Sequence, residues 1–257
     1  FVSSRGVGIQ DFKLEKPWRP PSLVLEVDPP KHTRNRRFLT KALSPNKIAQ
    51  LKDFFKNCAD ELINELLQKK EIDGILDLAE IFPTRVFPEA VGLKKIDKET
   101  LLGYGAMVFN ALGPDNDFRK DAMAKGLSVL EKINKQCLEE NIDADGLAKE
   151  IYRSTAENSE EDQLAGMLVR SLLSAGIDTT VSAIGNLLWC FAENPEQFQL
   201  VKDDKSLVGN AVEESLRLTS PVKAFCRTSA IDTEVSGVVI EEGTKILCVL
   251  GSANTDP

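Results

Sequence analysis

The 257 residues carry 32 Lys and Arg against 40 Asp and Glu, with one His and five Cys, and 42% of them are hydrophobic. That balance is globular and excludes disordered, collagen-like and low-complexity chains. A net charge of −8 leaves no general basic surface for nucleic acid, and five Cys with no CxxC and no paired spacing exclude a disulfide framework and a zinc site, leaving reduced cytosolic core thiols.

The chain starts at Phe1 rather than Met and stops at Asp256-Pro257, directly behind an apolar strand-like run. Neither end reads as a polar, flexible domain boundary, so an internal piece of a longer protein is expected. No signal-peptide pattern opens the chain, and no apolar stretch is expected to reach the ~18 residues of a membrane span. Pro29-Pro30 sets up a helix on which His32 and Arg36 share a face, inside a basic patch of Lys31, Arg34, Arg36 and Arg37. The pair reads either as a solvated face or as an anion clamp, since both side chains donate to carboxylates. Ser44-Pro45 caps and starts a helix of about six turns, with Ile48, Leu51, Phe55, Cys58, Leu62 and Leu66 as its buried stripe. Asn110 to Phe118, with Gly113-Pro114, is a loop, after which Met123, Leu127, Leu130, Ile133 and Cys137 repeat the stripe. Asp143 to Gly146 lacks calcium-loop ligand spacing and reads as a turn.

Residues 163–193 read as one apolar helix of ~45 Å, interrupted by Arg170, Ser171, Ser174, Asp178, Thr179 and Thr180. Ser171, Ser174 and Asp178 fall on one face. Ala175 and Gly176 are small enough for a bulky group to approach, and the two Thr hydroxyls can bond back to the helix and bend it. Two readings stay open: hydroxyls tied to their own backbone, or a pocket wall on which an acid and an alcohol deliver protons. A shorter helix covers about 206–218 and stops near Ser220-Pro221. On it Glu214 and Arg217 read as a solvated ion pair worth well under ~1 kcal/mol. The tail changes period: 234–240 and 244–250 read as two strands joined by a tight turn at Glu241-Glu242-Gly243. The expected class is mainly α (α+β), helix-rich with a small sheet, and no repeat or linker divides residues 1–257.

In chain order, DPPKHTRNRR, AGIDTT, EESLR, FCRT and a hairpin ending in SANTDP resemble bacterial cytochrome P-450, the haem-thiolate monooxygenases. The resemblance runs from residue 1 to 257 and looks like the middle of a longer protein: a single partial domain, incomplete at both ends. It implies the cytochrome P-450 fold, with a long central helix and a small β-sheet, and haem b as cofactor. Asp178 and Thr179 would be the acid–alcohol pair delivering protons during oxygen activation, with Ala175 in the groove beside the haem. Glu214 and Arg217 would be a structural pair buried behind it, and His32, Arg36 and Arg227 would bind its propionates. The axial Cys of the family lies in a Phe- and Gly-rich loop that would follow Pro257. Cys58, Cys137, Cys190, Cys226 and Cys248 have no such context, so no metal ligand is expected in this chain.

WRPPS at 18–22, VFNALGP at 108–114, LVRSLLSAG at 168–176 and SPVKAFCRT at 220–228 are similar to the bacterial subfamily that oxidises para-substituted aromatic acids such as 4-methoxybenzoate. The resemblance implies that Arg19, Ser22, Arg170, Ser171 and Ser174 hold the substrate carboxylate, and that Leu25, Phe109, Val222 and Phe225 flank the ring. Leu112 stands where the subfamily typically has Phe, which opens the pocket, and Thr255 departs from a common Asn-Arg-Asp-Pro. The implied reaction is hydroxylation or O-demethylation of a small aromatic carboxylic acid. It would use O2 and electrons from a ferredoxin-type iron–sulfur protein with its reductase, docking near Arg36 and Arg37, in the cytoplasm and without membrane or nucleic acid. The rival readings are a non-catalytic truncated helical fragment that cannot bind haem productively, and a helical binding module unrelated to haem.

Overall fold

The computed structural model describes residues 1–93, 96–158 and 164–257. Local backbone signals set most boundaries. Helix α1 (Lys31–Ala42) starts directly behind Pro30. Ser44 stays extended and Pro45 takes the first position of α2 (Pro45–Gln50), which turns at Leu51 into α3 (Lys52–Leu66). The predicted six-turn helix is therefore two helices. Because the chain turns at Leu51, the apolar positions of α2 do not continue the stripe of α3: Leu62 and Leu66 are buried, Cys58 is half-buried and Ile48 is exposed.

A π-helical turn at Gly74–Ala79 leads into α4 (Ile81–Val91), which ends on Gly92 at φ 95°, the left-handed conformation that terminates many helices. Helix α5 (Lys98–Asn110) is capped by Asp97, whose carboxylate accepts from the Thr100 N–H at 2.7 Å. After the predicted loop, Asn116 caps α6 (Asp117–Gln136), accepting from the Arg119 N–H at 3.0 Å. The Asp143–Gly146 turn precedes α7 (Leu147–Asn158).

The long apolar run is a rod in two parts, α8 (Leu164–Gly176) and α9 (Asp178–Glu193), broken at Ile177. Gln163, the first residue of the predicted run, lies outside the described residues. Taken as one stretch, Leu164–Glu193 is long and apolar enough to cross a membrane by length and composition, contrary to the sequence expectation. Its first half is instead the spine of the core: Leu168, Val169 and Leu173 are fully buried, packed among α1, α5, α6 and α7 in one hydrophobic cluster.

The buried face of α6 runs through Gly126 and Ile133, while the predicted stripe residue Leu127 is 60% exposed. Gly126 decides this rotation: a Cβ there would lie 2.7 Å from Met107 Cβ, so only glycine lets α6 approach α5 this closely. Gly126→Ala is expected to destabilise the fold by about 1–3 kcal/mol through overpacking; an unchanged midpoint in thermal unfolding would contradict that contact.

Helices α10 (Pro195–Asp203) and α11 (Val208–Thr219) follow, α11 ending on Ser220 at φ 42° just before Pro221. Strand β1 (Phe225–Thr228) comes next, then β2 (Thr233–Val235), β3 (Val238–Ile240) and β4 (Lys245–Cys248), and the short α12 (Leu250–Ala253). The predicted hairpin is corrected here. Residues 234–240 are not one strand: they turn at Ser236 and Gly237, with φ 51° and 79°, so that β2 pairs with β3. Two left-handed central residues are what a two-residue hairpin turn requires. Strand β4 pairs instead with β1, Arg227 opposite Ile246. The N-terminal segment is tied to this second sheet: Val2 bridges Thr228, and the Lys245 ammonium donates to the carbonyls of Arg5 at 3.0 Å, Gly6 at 2.8 Å and Gln10 at 2.9 Å.

Candidate active site

The loop before α1, together with α5 and α8, encloses a cavity of about 20 Å³, room for about one water, lined by Arg19, Ser22, Leu25, Tyr104, Val108, Arg170, Ser171 and Ser174. All five residues expected to hold a carboxylate, and Leu25, therefore meet at one place. Both guanidinium groups are buried and aimed by neighbours. Arg170 donates to the Asn134 amide oxygen at 2.9 Å, which ties α8 to α6. Arg19 donates to Pro20 O and to the Glu26 carboxylate, each at 2.9 Å, and lies 5.2 Å from the Trp18 ring centre. The same Glu26 oxygen accepts the Ser22 N–H at 2.6 Å.

The first reading of the α8 serines, hydroxyls tied to their own backbone, is what the structure shows. Ser171 donates to Met167 O and Ser174 to Ser171 O, each at 3.0 Å, so both hydroxyls are satisfied by their own helix while facing the cavity. Tyr104 is buried beside Ser174 and the two arginines, and burial pushes its phenol up to about 12. It is a neutral donor at any ordinary pH. Tyr104, Val108, Asn134 and Glu26 were missed in the sequence. The one signal available was Glu26, an acid seven residues after Arg19.

Asp178 does not join Ser171 and Ser174 in this cavity. It follows the break at Ile177 and packs against α5, where a Cβ on Gly105 would lie 3.0 Å from Asp178 Cβ. Burial raises its carboxyl above the usual range. Thr179 donates to Ala175 O at 2.6 Å, the expected bond back to the helix. Gly176 lies against the Phe87 ring, whose Cε1 would be 2.6 Å from a Cβ there, so the bulky neighbour of this small residue is a side chain from α4. Phe109, Leu112, Val222 and Phe225 lie outside the cavity. Leu112 O accepts the Ile9 N–H at 3.0 Å, joining the N-terminal loop to the end of α5.

The backbone of His32 and the charge of Arg227 both bear on Asp28. The His32 N–H donates to Asp28 O at 3.0 Å. Burial works to raise the Asp28 carboxyl, but hydrogen bonds from Ser4 and Ser3 and the nearby Arg227 charge hold it below the usual range. Arg36 is exposed one turn after His32 on α1. Burial pushes Cys137 up to about 12 and raises Cys226 and Cys58, and among the described residues no three metal-ligating side chains cluster. The Glu214–Arg217 pair forms two 2.7 Å hydrogen bonds, and Arg217 also donates to Asn254 O at 2.9 Å. Its side chains are 45% and 54% exposed, so in these 257 residues the pair is open rather than buried.

Comparison with known proteins gives a consistent picture. The family model for cytochrome P450 matches residues 107–257. Cytochrome p450 CYP199A2 of Rhodopseudomonas palustris is 48% identical over all of this chain and 63% of its own length. Cytochrome P450 109 of Bacillus spizizenii is 30% identical over 91% of the chain and 59% of its own length. The chain thus spans about three fifths of these curated relatives. The crystal structure of CYP109E1 from Bacillus megaterium in complex with testosterone superposes at TM-score 0.81 over 98% of this chain and 68% of its own; at 23% identity it shows the fold alone. Cytochrome P450 CREJ in complex with (4-ethylphenyl) dihydrogen phosphate has TM-score 0.79 and 25% identity over 93% of this chain and 61% of its own. With its mainly helical fold and small antiparallel sheets, and with a family model matching more than half of its length, the chain belongs to the cytochrome P450 family.

Proposed function

We propose that the protein carrying this chain is a haem-dependent monooxygenase acting on a small para-substituted aromatic carboxylic acid. The observation that carries the substrate class is the convergence of Arg19 and Ser22 with Arg170, Ser171 and Ser174 on one enclosed cavity. A carboxylate entering an apolar interior loses its hydration and needs several charge-assisted donors in return. The two arginines and the Tyr104 phenol can supply them, joined by Ser171 and Ser174 if their hydroxyls rotate off the helix carbonyls. The cavity is smaller than a benzoate, so the loop carrying Arg19 must move outward from α5 and α8 to admit one. The similarity to CYP199A2 supports this class, as does the para-substituted aromatic anion held by the CREJ structure.

His32, Arg36 and Arg227 would hold the propionates of a bound haem, which would supply the oxygen chemistry. This chain contributes the proton path: Asp178 retains its proton more readily than an ordinary carboxyl, and Thr179 can pass one on from its bond to Ala175 O. Electrons come from a ferredoxin-type iron–sulfur protein and its reductase, with exposed Arg36 and Arg37 as docking charges. We place the protein in the cytoplasm and read residues 1–257 as part of one domain.

The balance with 4-methoxybenzoate is simple: one O2, two electrons and two protons give 4-hydroxybenzoate, formaldehyde and water. The complete holoprotein, supplied with electrons, should form both organic products; failure with every para-substituted benzoate tried would overturn the substrate class. The Glu214–Arg217 pair, open to solvent in these 257 residues, favours the second reading for the 257 residues alone, a helical fragment that does not hold haem productively. Expressed by itself, the fragment should show no long-wavelength Soret band with CO after reduction, and the band's appearance would defeat that reading.

A further inference from the structure

We propose that Glu26 is a positioning and specificity-determining residue that sets the charge of the carboxylate cavity and matches it to substrates carrying a single carboxylate. This rests on the aromatic-acid reading above. Glu26 is 2% exposed, and its pair with Arg19 leaves the two side chains 8% and 1% exposed. An acid so thoroughly buried next to a site for acids is costly unless it has a task. Its geometry shows two. One carboxylate oxygen takes both the Arg19 Nη1–H at 2.9 Å and the Ser22 N–H at 2.6 Å. It therefore fixes the two loop residues that the substrate would meet, in one orientation, from behind. It does not line the cavity itself, so it does not compete for the space.

The second task is electrostatic. The charged groups lining the cavity are Arg19 and Arg170. With Glu26 pressed against Arg19 the group as a whole carries a single positive charge. Lys245 also feels Glu26, but its ammonium donates to the carbonyls of Arg5, Gly6 and Gln10. Tyr104 is neutral, and the serines carry no charge. One bound monocarboxylate then leaves the buried group neutral. A dicarboxylate leaves an unpaired negative charge in a low-dielectric interior, which is strongly disfavoured.

The test is a calorimetric titration of the complete holoprotein with 4-methoxybenzoate, terephthalate and the neutral 4-methoxybenzamide. Glu26→Gln should raise the ratio of terephthalate to 4-methoxybenzoate affinity at least tenfold, with 4-methoxybenzamide binding unchanged within about threefold. Glu26→Asp, which keeps the charge, should hold the wild-type ratio. A purely structural Glu26 would weaken all three ligands together, and an unchanged ratio in Glu26→Gln would overturn the proposal. Where Glu26→Gln does not fold, the double variant Arg19→Gln with Glu26→Gln removes both charges and leaves the sum as it was. It should retain the wild-type ratio, and a tenfold departure would be equally fatal. A wild-type protein that does not prefer 4-methoxybenzoate to 4-methoxybenzamide would instead sink the carboxylate reading itself, and is recognisable as such before any variant is made.

Discussion

Arg19→Ala is expected to produce the largest loss in both stability and ligand binding. It strands the Glu26 carboxylate in the interior without its partner, which costs about 3–5 kcal/mol. The Arg19 and Glu26 side chains are 8% and 1% exposed, so water cannot take over the role of the lost guanidinium. For binding, removal of a buried charged donor should lower the affinity of 4-methoxybenzoate by about a hundredfold, within the ~2–5 kcal/mol seen for truncated buried pairs. A neutral analogue such as 4-methoxybenzamide should lose far less. Thermal unfolding and parallel titration of the complete holoprotein measure the two effects separately. The double variant Arg19→Ala with Glu26→Gln distinguishes them further: it should recover most of the stability, since no lone buried charge remains, and none of the benzoate affinity. Equal weakening of charged and neutral ligands would defeat the carboxylate clamp.

Asp178→Asn should act in opposite directions on turnover and on stability. Burial raises the Asp178 carboxyl in the folded protein, so folding favours its protonated form. The stability this group contributes is complete below the ordinary carboxylate range and is lost as pH rises through the raised value. At neutral pH ionisation of this carboxyl is therefore less favourable in the folded protein than in the unfolded chain. Asparagine cannot ionise, so the variant should unfold at a higher temperature than the parent at pH 7, with the gain fading toward and below about pH 4, where the free carboxyl is itself protonated. Turnover should fall by about a hundredfold, the lower end of what a positioned proton donor contributes, while binding of 4-methoxybenzoate stays nearly intact. Unchanged turnover would remove Asp178 from the proton path. A stability difference independent of pH would show that its burial is not the cause.

The carboxylate cavity was legible in part, and the split follows the range of the interactions. Ser171 and Ser174 could be placed on one face because helical periodicity is a local property of α8. Asp178 was placed on that face by the same rule; it does not line the cavity but packs against Gly105 of α5. Tyr104 and Val108 could not be read. Helix α5 (KETLLGYGAMVFN) is apolar around most of its circumference, so no stripe marks the face it presents to α8. Glu26 looked like any acid in an acidic chain, and only the fold sets it against Arg19. The misjudged stripe of α6 has the same origin: Leu127 is the better hydrophobe, but the close approach of α5 is possible only at Gly126.

By itself the sequence determined the helical class, the helix start at Ser44-Pro45 and the loop between α5 and α6. These rest on backbone geometry and on spacings within a few residues, where the chain has little freedom. The tertiary structure decided what depends on distant partners. It paired β4 with β1 across the β2–β3 hairpin, and it left the Glu214–Arg217 pair open to solvent. It also packed Asp178 against α5 and placed Glu26 behind Arg19. In each of these the contact joins segments far apart or faces that several neighbours could cover, and packing of the whole core selects among them.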